Sequence, residues 1–199
     1  MLCLIWTVIA FLSGSMPFSV WIGRLFLHTD IRNYGDGAPG ATNVARAGGR
    51  ISYIISVLLD AFKGTVPIWL AQLISGLNGW ELAVVAVAAV AGHAFTPFLK
   101  GKGGMGVATT FGVWLGLLGW LGPIVLAIGI GFMFFLQKNW VWASVGGMVI
   151  FLLFLLLAQF PVSLAGVNLS QTSIMVIKRF DYFKSWPDLQ PWLIKRGKK

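Results

Sequence analysis

Charge is scarce in this chain, and negative charge is scarcer. Only 11% of its 199 residues are charged, with six Asp and Glu against fifteen Lys and Arg. So few carboxylates leave no paired acids for general acid–base hydrolysis. The two histidines, His28 and His93, and the single Cys3 leave no metal-ligand spacing, and one cysteine excludes an internal disulfide. There is no G-x-S-x-G elbow and no Ser-His-Asp order, so nucleophilic hydrolase chemistry has no support. The N-terminus lacks the basic region of a cleaved signal peptide, and its long apolar stretch is read as a retained first span.

Long uncharged runs are abundant. Met1 to Gly23, Gly103 to Gln137 and Asn139 to Ile177 carry no charge, and mean hydropathy is +0.82. A bilayer span needs roughly 20 apolar residues. The pattern predicts an all-α polytopic membrane bundle with seven spans, near 3–25, 52–75, 80–98, 105–120, 122–137, 140–158 and 162–178. A single helix over 106–136 would be about 46 Å long at 1.5 Å per residue. That exceeds a hydrocarbon core of about 30 Å. Gly119-Trp-Leu-Gly-Pro123 supplies a turn between two shorter helices.

The formal charge of +9 would suggest nucleic acid in a soluble chain. Here the cations lie between apolar runs, which argues against it. With seven spans, one side receives the loops near 26–50, 99–104 and 138 and the segment from 178. That side holds every Lys and Arg except Lys63, while the breaks on the other side hold none. The positive-inside rule then predicts the N-terminus out, the C-terminus in, and the basic loops cytoplasmic. Residues 1–179 read as one transmembrane domain. Residues 180–199 read as a basic, aromatic cytoplasmic tail, with Phe180, Tyr182, Phe183, Trp186 and Trp192 anchoring on membrane lipids.

Two loops on that side are rich in glycine. Both match G-x-G-x-x-G, at Gly35/Gly37/Gly40 and Gly101/Gly103/Gly106. Neither follows a predicted strand, and no Walker lysine–serine pair is present, so nucleotide binding is disfavoured. The physics of anion binding remains. Glycines let backbone N–H groups converge on an anion, Thr42 or Asn43 is placed to cap a helix toward Arg46, and Arg32, Arg46 and Lys102 suit phosphate oxygens. His93 closes the third span beside the second loop. Asp60 and Lys63, three apart, share one face of the second span, where charge usually faces a polar pathway.

In order along residues 13–110 stand Gly14-Ser15-x-Pro17, Asp30-x-Arg32-x-x-Gly35-x-Gly37-x-x-Gly40-Ala-Thr-Asn43-x-x-Arg46-x-x-Gly49, Asp60-x-x-Lys63-Gly64, Gly92-His93-x-x-x-Pro97 and Lys102-Gly-Gly-x-Gly-Val-Ala-Thr109. This series resembles the bacterial acyl-phosphate:glycerol-3-phosphate acyltransferases, the PlsY family. The resemblance implies an enzyme of the cell inner membrane, active on its cytoplasmic side. It would transfer a fatty acyl group from acyl phosphate to glycerol 3-phosphate, giving lysophosphatidic acid, with no cofactor, acyl-CoA or metal. His93, Lys102, Asp60 and Lys63 become the candidate catalytic residues. Arg32, Gly40, Thr42, Asn43, Arg46, Gly103 and Gly104 become the candidate substrate-binding ones.

Three positions depart from the family pattern. Asp36 and Ala38 replace a serine and an asparagine in the first loop, and Met105 replaces a lysine in the second. The family's third motif, after the last span, is hardly visible in Lys178-Arg-Phe-Asp-Tyr-Phe183. An ionised Asp36 only accepts hydrogen bonds, so it is expected to repel phosphate unless Arg32 or Arg46 pairs with it. These departures also frame a second reading, a catalytically impaired paralogue that binds a phosphorylated lipid precursor or regulates an active partner.

Overall fold

The structure, a computed structural model, describes residues 1–194. All seven apolar segments are helical. The first is broken into α1 (Leu2–Ser15) and α2 (Phe18–Phe26), and a short helix α3 (Ala41–Arg46) follows in the first loop. The others are α4 (Arg50–Ser75), α5 (Gly79–Ala94), α6 (Val107–Leu118), α7 (Leu121–Leu136), α8 (Trp140–Leu157) and α9 (Val162–Lys178). Among the described residues there is no strand, only an isolated antiparallel bridge between Gln137 and Leu189.

Four stretches are long and apolar enough to cross a membrane alone: Leu2–Phe26, Arg50–Ser75, Gly79–Leu99 and Trp140–Leu157. The 12-residue α6 and 16-residue α7 rise only about 18 and 24 Å. Gly119, at φ +59°, turns the chain between them. The exterior is apolar, with Leu73 and Leu157 each 84% exposed, while Ser56, Asp60, Lys63, Thr109, Thr110, Asn168 and Gln171 lie inside. That inversion is what a bilayer solvent demands of a polytopic protein.

The expected first span of 3–25 is not one helix. Pro17 has no N–H and disfavours helical geometry at the residue before it, and Met16 adopts φ −59°, ψ 118°. Two freed carbonyls find donors from other spans. Thr96 Oγ1 donates to Ser15 O at 2.6 Å, and Lys63 Nζ donates to Met16 O at 2.8 Å. Pro67 inside α4 likewise deprives the Lys63 carbonyl of its helical partner, and Ser13 Oγ takes that place at 2.9 Å. Backbone groups released in lipid must be satisfied within the protein, so these breaks cross-link α1, α4 and the end of α5.

Small residues bring helix backbones together, as expected where lipid supplies no hydrophobic drive between helices. α1 and α5 meet through reciprocal glycines. A Cβ on Gly14 would overlap the Ala89 carbonyl, and one on Gly92 would overlap the Phe11 carbonyl. α4 and α6 repeat the arrangement, Gly64 against Thr109 O and Gly112 against Ala61 O. Thr65 Oγ1 adds a 2.7 Å bond to Gly112 O. The second glycine loop joins α5 to α6, so both of its anchoring helices are held at backbone contact. Deeper in the bundle, Trp114 and Phe151 pack edge to face at 4.6 Å.

Beyond α9 the chain folds back onto the start of α8. Trp142 Nε1 donates to Tyr182 O at 3.2 Å, Lys138 N to Asp188 O at 2.8 Å, and Gln190 N to Leu136 O at 3.0 Å. Trp192 lies 4.5 Å from Phe135, ring to ring. The basic cluster Lys195, Arg196, Lys198 and Lys199 of the expected tail lies outside the described residues.

Candidate active site

The first loop begins with Asp30. Its side chain caps a 3₁₀ turn over Ile31–Asn33 by accepting from Arg32 N. It also takes the Arg32 guanidinium through Nε at 2.9 Å and Nη2 at 2.6 Å, and Arg24 at 3.1 Å. These bonds, Arg32's above all, hold the Asp30 carboxyl well below the usual carboxylate range. Arg32 is thereby committed to the loop's own geometry.

Gly35 turns the chain next at φ +57°, where a Cβ would overlap the Arg46 guanidinium and the Asn43 amide oxygen. Glycine is required for both the conformation and the close approach. The expected cap by Thr42 or Asn43 is replaced by Gly40, which is the N-cap of α3 without a side-chain bond. Asn43 instead works inward. Its Nδ2 donates to Asp36 Oδ1 and to Ala38 O, each at 2.9 Å, and its Oδ1 accepts Arg46 Nη1 at 2.9 Å.

The second loop is fitted beneath His93. Gly103 N donates to Ala94 O at 3.1 Å, and a Cβ on Gly103 would overlap the His93 and Ala94 carbonyls. A Cβ on Gly104 would stand 2.7 Å from His93 Nε2. The loop ends at Gly106, φ +82°, the N-cap of α6.

The end of α9 ties both loops together. Arg179 Nη2 reaches Asp36 Oδ2 at 2.8 Å, and its guanidinium lies 5.7 Å from the Trp140 ring and 5.9 Å from the Tyr182 ring. The preceding Lys178 turns to the other loop, donating to Gly101 O at 3.1 Å and lying over the Phe95 ring at 5.1 Å.

These contacts enclose a cavity of about 280 Å³. Asp36, Ala38, Thr42, Asn43, Arg46 and Arg179 line one part, with His93 and Asp60 at its side. Tyr53, Val57, Met105, Val107, Phe111 and Trp140 line the rest. The site is therefore amphiphilic, its lining combining two guanidiniums and an amide with aliphatic and aromatic side chains. Such a cavity can hold an anionic headgroup that carries a hydrocarbon chain.

Of the residues singled out in the sequence, Gly40, Thr42, Asn43, Arg46, Asp60, His93 and Gly104 meet in this lining. Arg32, Lys63, Lys102 and Gly103 stand outside it. Arg32 is bound to Asp30, Lys63 is sealed against Asp60 at 2.6 Å, and Lys102 is exposed. The expected partner of Asp36 also changes. Arg32 takes no part, Arg46 lies at 3.9 Å, and Arg179 makes the close pair. Sequence reasoning missed Arg179 and Trp140, as well as the apolar lining residues such as Tyr53, Val57 and Phe111. Arg179 does stand in the segment where the family's third motif belongs, so the position alone was a signal.

A family profile described as glycerol-3-phosphate acyltransferase matches residues 4–183. Relatives named glycerol-3-phosphate acyltransferase include one from Ralstonia nicotianae, 44% identical over 62% of this chain and 61% of its own length. One from Laribacter hongkongensis is 43% identical over 61% of this chain and 62% of its own length. The aligned region thus spans about three fifths of these relatives. A crystal structure of PlsY, an integral membrane glycerol 3-phosphate acyltransferase in its glycerol 3-phosphate form, superposes with a TM-score of 0.81 at 29% identity. It covers 92% of this chain and 90% of that one. The lysophosphatidic acid form of that protein gives a TM-score of 0.79 at 28% identity. A multi-pass membrane fold with this cavity, matched from residue 4 to residue 183, belongs to the glycerol-3-phosphate acyltransferase family.

Proposed function

We propose that this protein transfers a fatty acyl group from acyl phosphate to the 1-hydroxyl of glycerol 3-phosphate, giving lysophosphatidic acid and inorganic phosphate. The observation that carries this reading is the amphiphilic cavity. Arg46, Arg179 and Asn43 offer donors for phosphate oxygens, and the wall from Tyr53 to Phe111 offers an apolar surface for an acyl chain. The relatives' names and the ligand forms of the similar crystal structure support glycerol 3-phosphate as the acceptor and lysophosphatidic acid as the product.

The chemistry asks little of the protein beyond placement. Acyl phosphate is a mixed anhydride, already activated. The acceptor hydroxyl oxygen bonds to the acyl carbon, the bond from that carbon to the phosphate oxygen breaks, and phosphate leaves with the electron pair and takes up the hydroxyl proton. Positioning of the two reactants and stabilisation of developing negative charge supply the catalysis. In this scheme Arg46 and Asn43 hold phosphate. His93, fixed against Gly104, orients the loop, and Asp60 with Lys63 supports the α4 wall.

The cavity opens on the side that gathers the first loop, the second loop, the start of α8 and the end of α9. That side carries the basic residues, and the positive-inside rule supports reading it as the cytoplasmic side, in keeping with an enzyme of the cell inner membrane. Residues 180–194 lie on that same side, where their aromatic side chains suit contact with membrane lipids.

The test is direct. Protein purified in detergent, given acyl phosphate and glycerol 3-phosphate, is expected to form lysophosphatidic acid and release phosphate one for one. Absence of product at high enzyme concentration, in protein that retains a cooperative thermal transition, overturns the reading.

A further inference from the structure

Four N–H donors converge on the carboxylate of Asp36. Arg179 Nη2 stands 2.8 Å from Oδ2, and Asn43 Nδ2 and Ala38 N donate to Oδ1 at 2.9 and 3.2 Å. Arg46 Nη1 lies 3.9 Å from the same Oδ1. They come from three places, the first loop, α3 and the residue after α9, and all four residues line the cavity. Two guanidiniums, an amide and a backbone N–H arranged in this way form a seat for a small oxyanion. The anion in it belongs to the protein itself.

We propose that Asp36 is a built-in counter-anion. Its carboxylate occupies the Arg46–Arg179 seat, a ligand phosphate enters by displacing it, and residue 36 thereby sets phosphate affinity. The inference deepens the acyl-transfer reading and rests on it for the identity of the natural ligand.

Three consequences follow from charge and geometry. With Asp36 in the seat, two guanidinium charges are reduced to a net charge of one, so the resting pocket attracts phosphate weakly for its donor count. A phosphate dianion carries more charge and one more terminal oxygen than a carboxylate, so it competes for the same donors. Once chemistry has released inorganic phosphate, the tethered carboxylate is on hand to retake the seat and expel it. Asp36 acts here as a specificity-determining residue that touches the guanidiniums, with no role in bond making.

The sign of one substitution separates this role from a structural one. Removing a merely structural contact loosens the loop and weakens phosphate binding. Removing a competitor strengthens it. Titration calorimetry of inorganic phosphate into purified wild-type protein and D36N is the measurement. D36N keeps the side-chain shape and a hydrogen-bonding oxygen while losing the charge. Phosphate is expected to bind D36N about tenfold more tightly, the scale of one additional charged hydrogen bond. In an R179Q background the same change is expected to gain threefold or less, because the guanidinium it frees is gone. D36S carries the same expectation if D36N lacks a cooperative thermal transition.

An unchanged or weaker phosphate affinity in D36N overturns the proposal. So does an equal gain with and without Arg179. The acyl-transfer assay, run on the same preparations, keeps the two claims apart. Product from wild type with no gain in D36N defeats the counter-anion alone. A gain in D36N without product from wild type defeats the acyl-transfer reading alone.

Discussion

The ammonium of Lys63 donates to the carbonyl of Met16 across 2.8 Å, from the middle of one helix to the break in another. The same ammonium pairs with Asp60, and Asp60 Oδ2 accepts from Ser19 Oγ at 2.9 Å. Both charged side chains are almost fully buried, so the pair cannot be relieved by water. Removing one partner of a buried pair typically costs about 3–5 kcal/mol, because the other charge is stranded. K63M is expected to lose about that much stability, read as a lower thermal unfolding midpoint in detergent. The double variant D60N/K63M is expected to recover at least half of the loss. A K63M protein as stable as wild type would show that the pair does not hold the break.

Reciprocal glycine contacts make a sharper contrast. G112A drives a methyl into the Ala61 carbonyl on a neighbouring helix. Overpacking of this kind costs about 1–3 kcal/mol even where side chains adjust, and a backbone carbonyl adjusts poorly. G131A adds the same methyl where nothing lies within 4 Å. It is expected to be neutral or to gain about 0.5–1 kcal/mol from reduced backbone freedom. Comparing the two midpoints under identical detergent conditions tests the close approach itself.

Arg46 and Arg32 lie in the same loop, and their fates differ. Arg46 lines the cavity, while Arg32 is forked onto Asp30 outside it. R46A is expected to lower kcat/KM for glycerol 3-phosphate by about a hundredfold, the scale of one lost transition-state donor. R32A is expected to lower it by less than about fivefold, the scale left to an exposed ion pair that shapes the loop. Equal losses would place Arg32 in contact with substrate.

Acid should weaken the first loop. Burial works against ionisation of Asp36. The Ala38 N–H, Arg179, the Asn43 amide and Arg46 outweigh it, and the carboxyl titrates below its ordinary value. A carboxylate with a depressed folded pKa stabilises fully above its unfolded pKa and loses that contribution as pH falls through the folded value. The unfolding midpoint is therefore expected to hold down to about pH 5 and to fall below about pH 4, through loss of ionised Asp36 and Asp30. D36N is expected to fall less steeply over the same acid range. Parallel curves for D36N and wild type would remove Asp36 from the acid response.

The helices were legible because lipid makes the signal strong. Uncharged runs, Gly119-Trp-Leu-Gly-Pro123 and the distribution of cations mark each span to within a few residues. The break at Met16 was harder to read, since Pro17 sits within an apolar run and its consequence depends on donors from residues 63 and 96. Glycine spacing marked both loops, because Gly35, Gly103 and Gly104 sit in close approach while Gly37 and Gly101 take positive φ. The lining contributed by Arg179 and Trp140 was not legible. Each stands far along the chain from the loops, and only packing of α8 and α9 brings them there. Lys102 stands exposed, outside the lining. Proximity in sequence to the glycines said nothing about which way its side chain faces.

Lys178 and Arg179 divide between the two loops, one residue to each. Arg179 is also the last-made residue of the cavity lining, which runs from residue 36 to residue 179. During synthesis the loops emerge long before the helix that joins them is threaded into the bilayer. Until α9 is in place, the first loop lacks its Arg179 pair and the second its Lys178 bond. The lining is complete only once the last helix has packed, so two adjacent side chains tie the final helix to both loops.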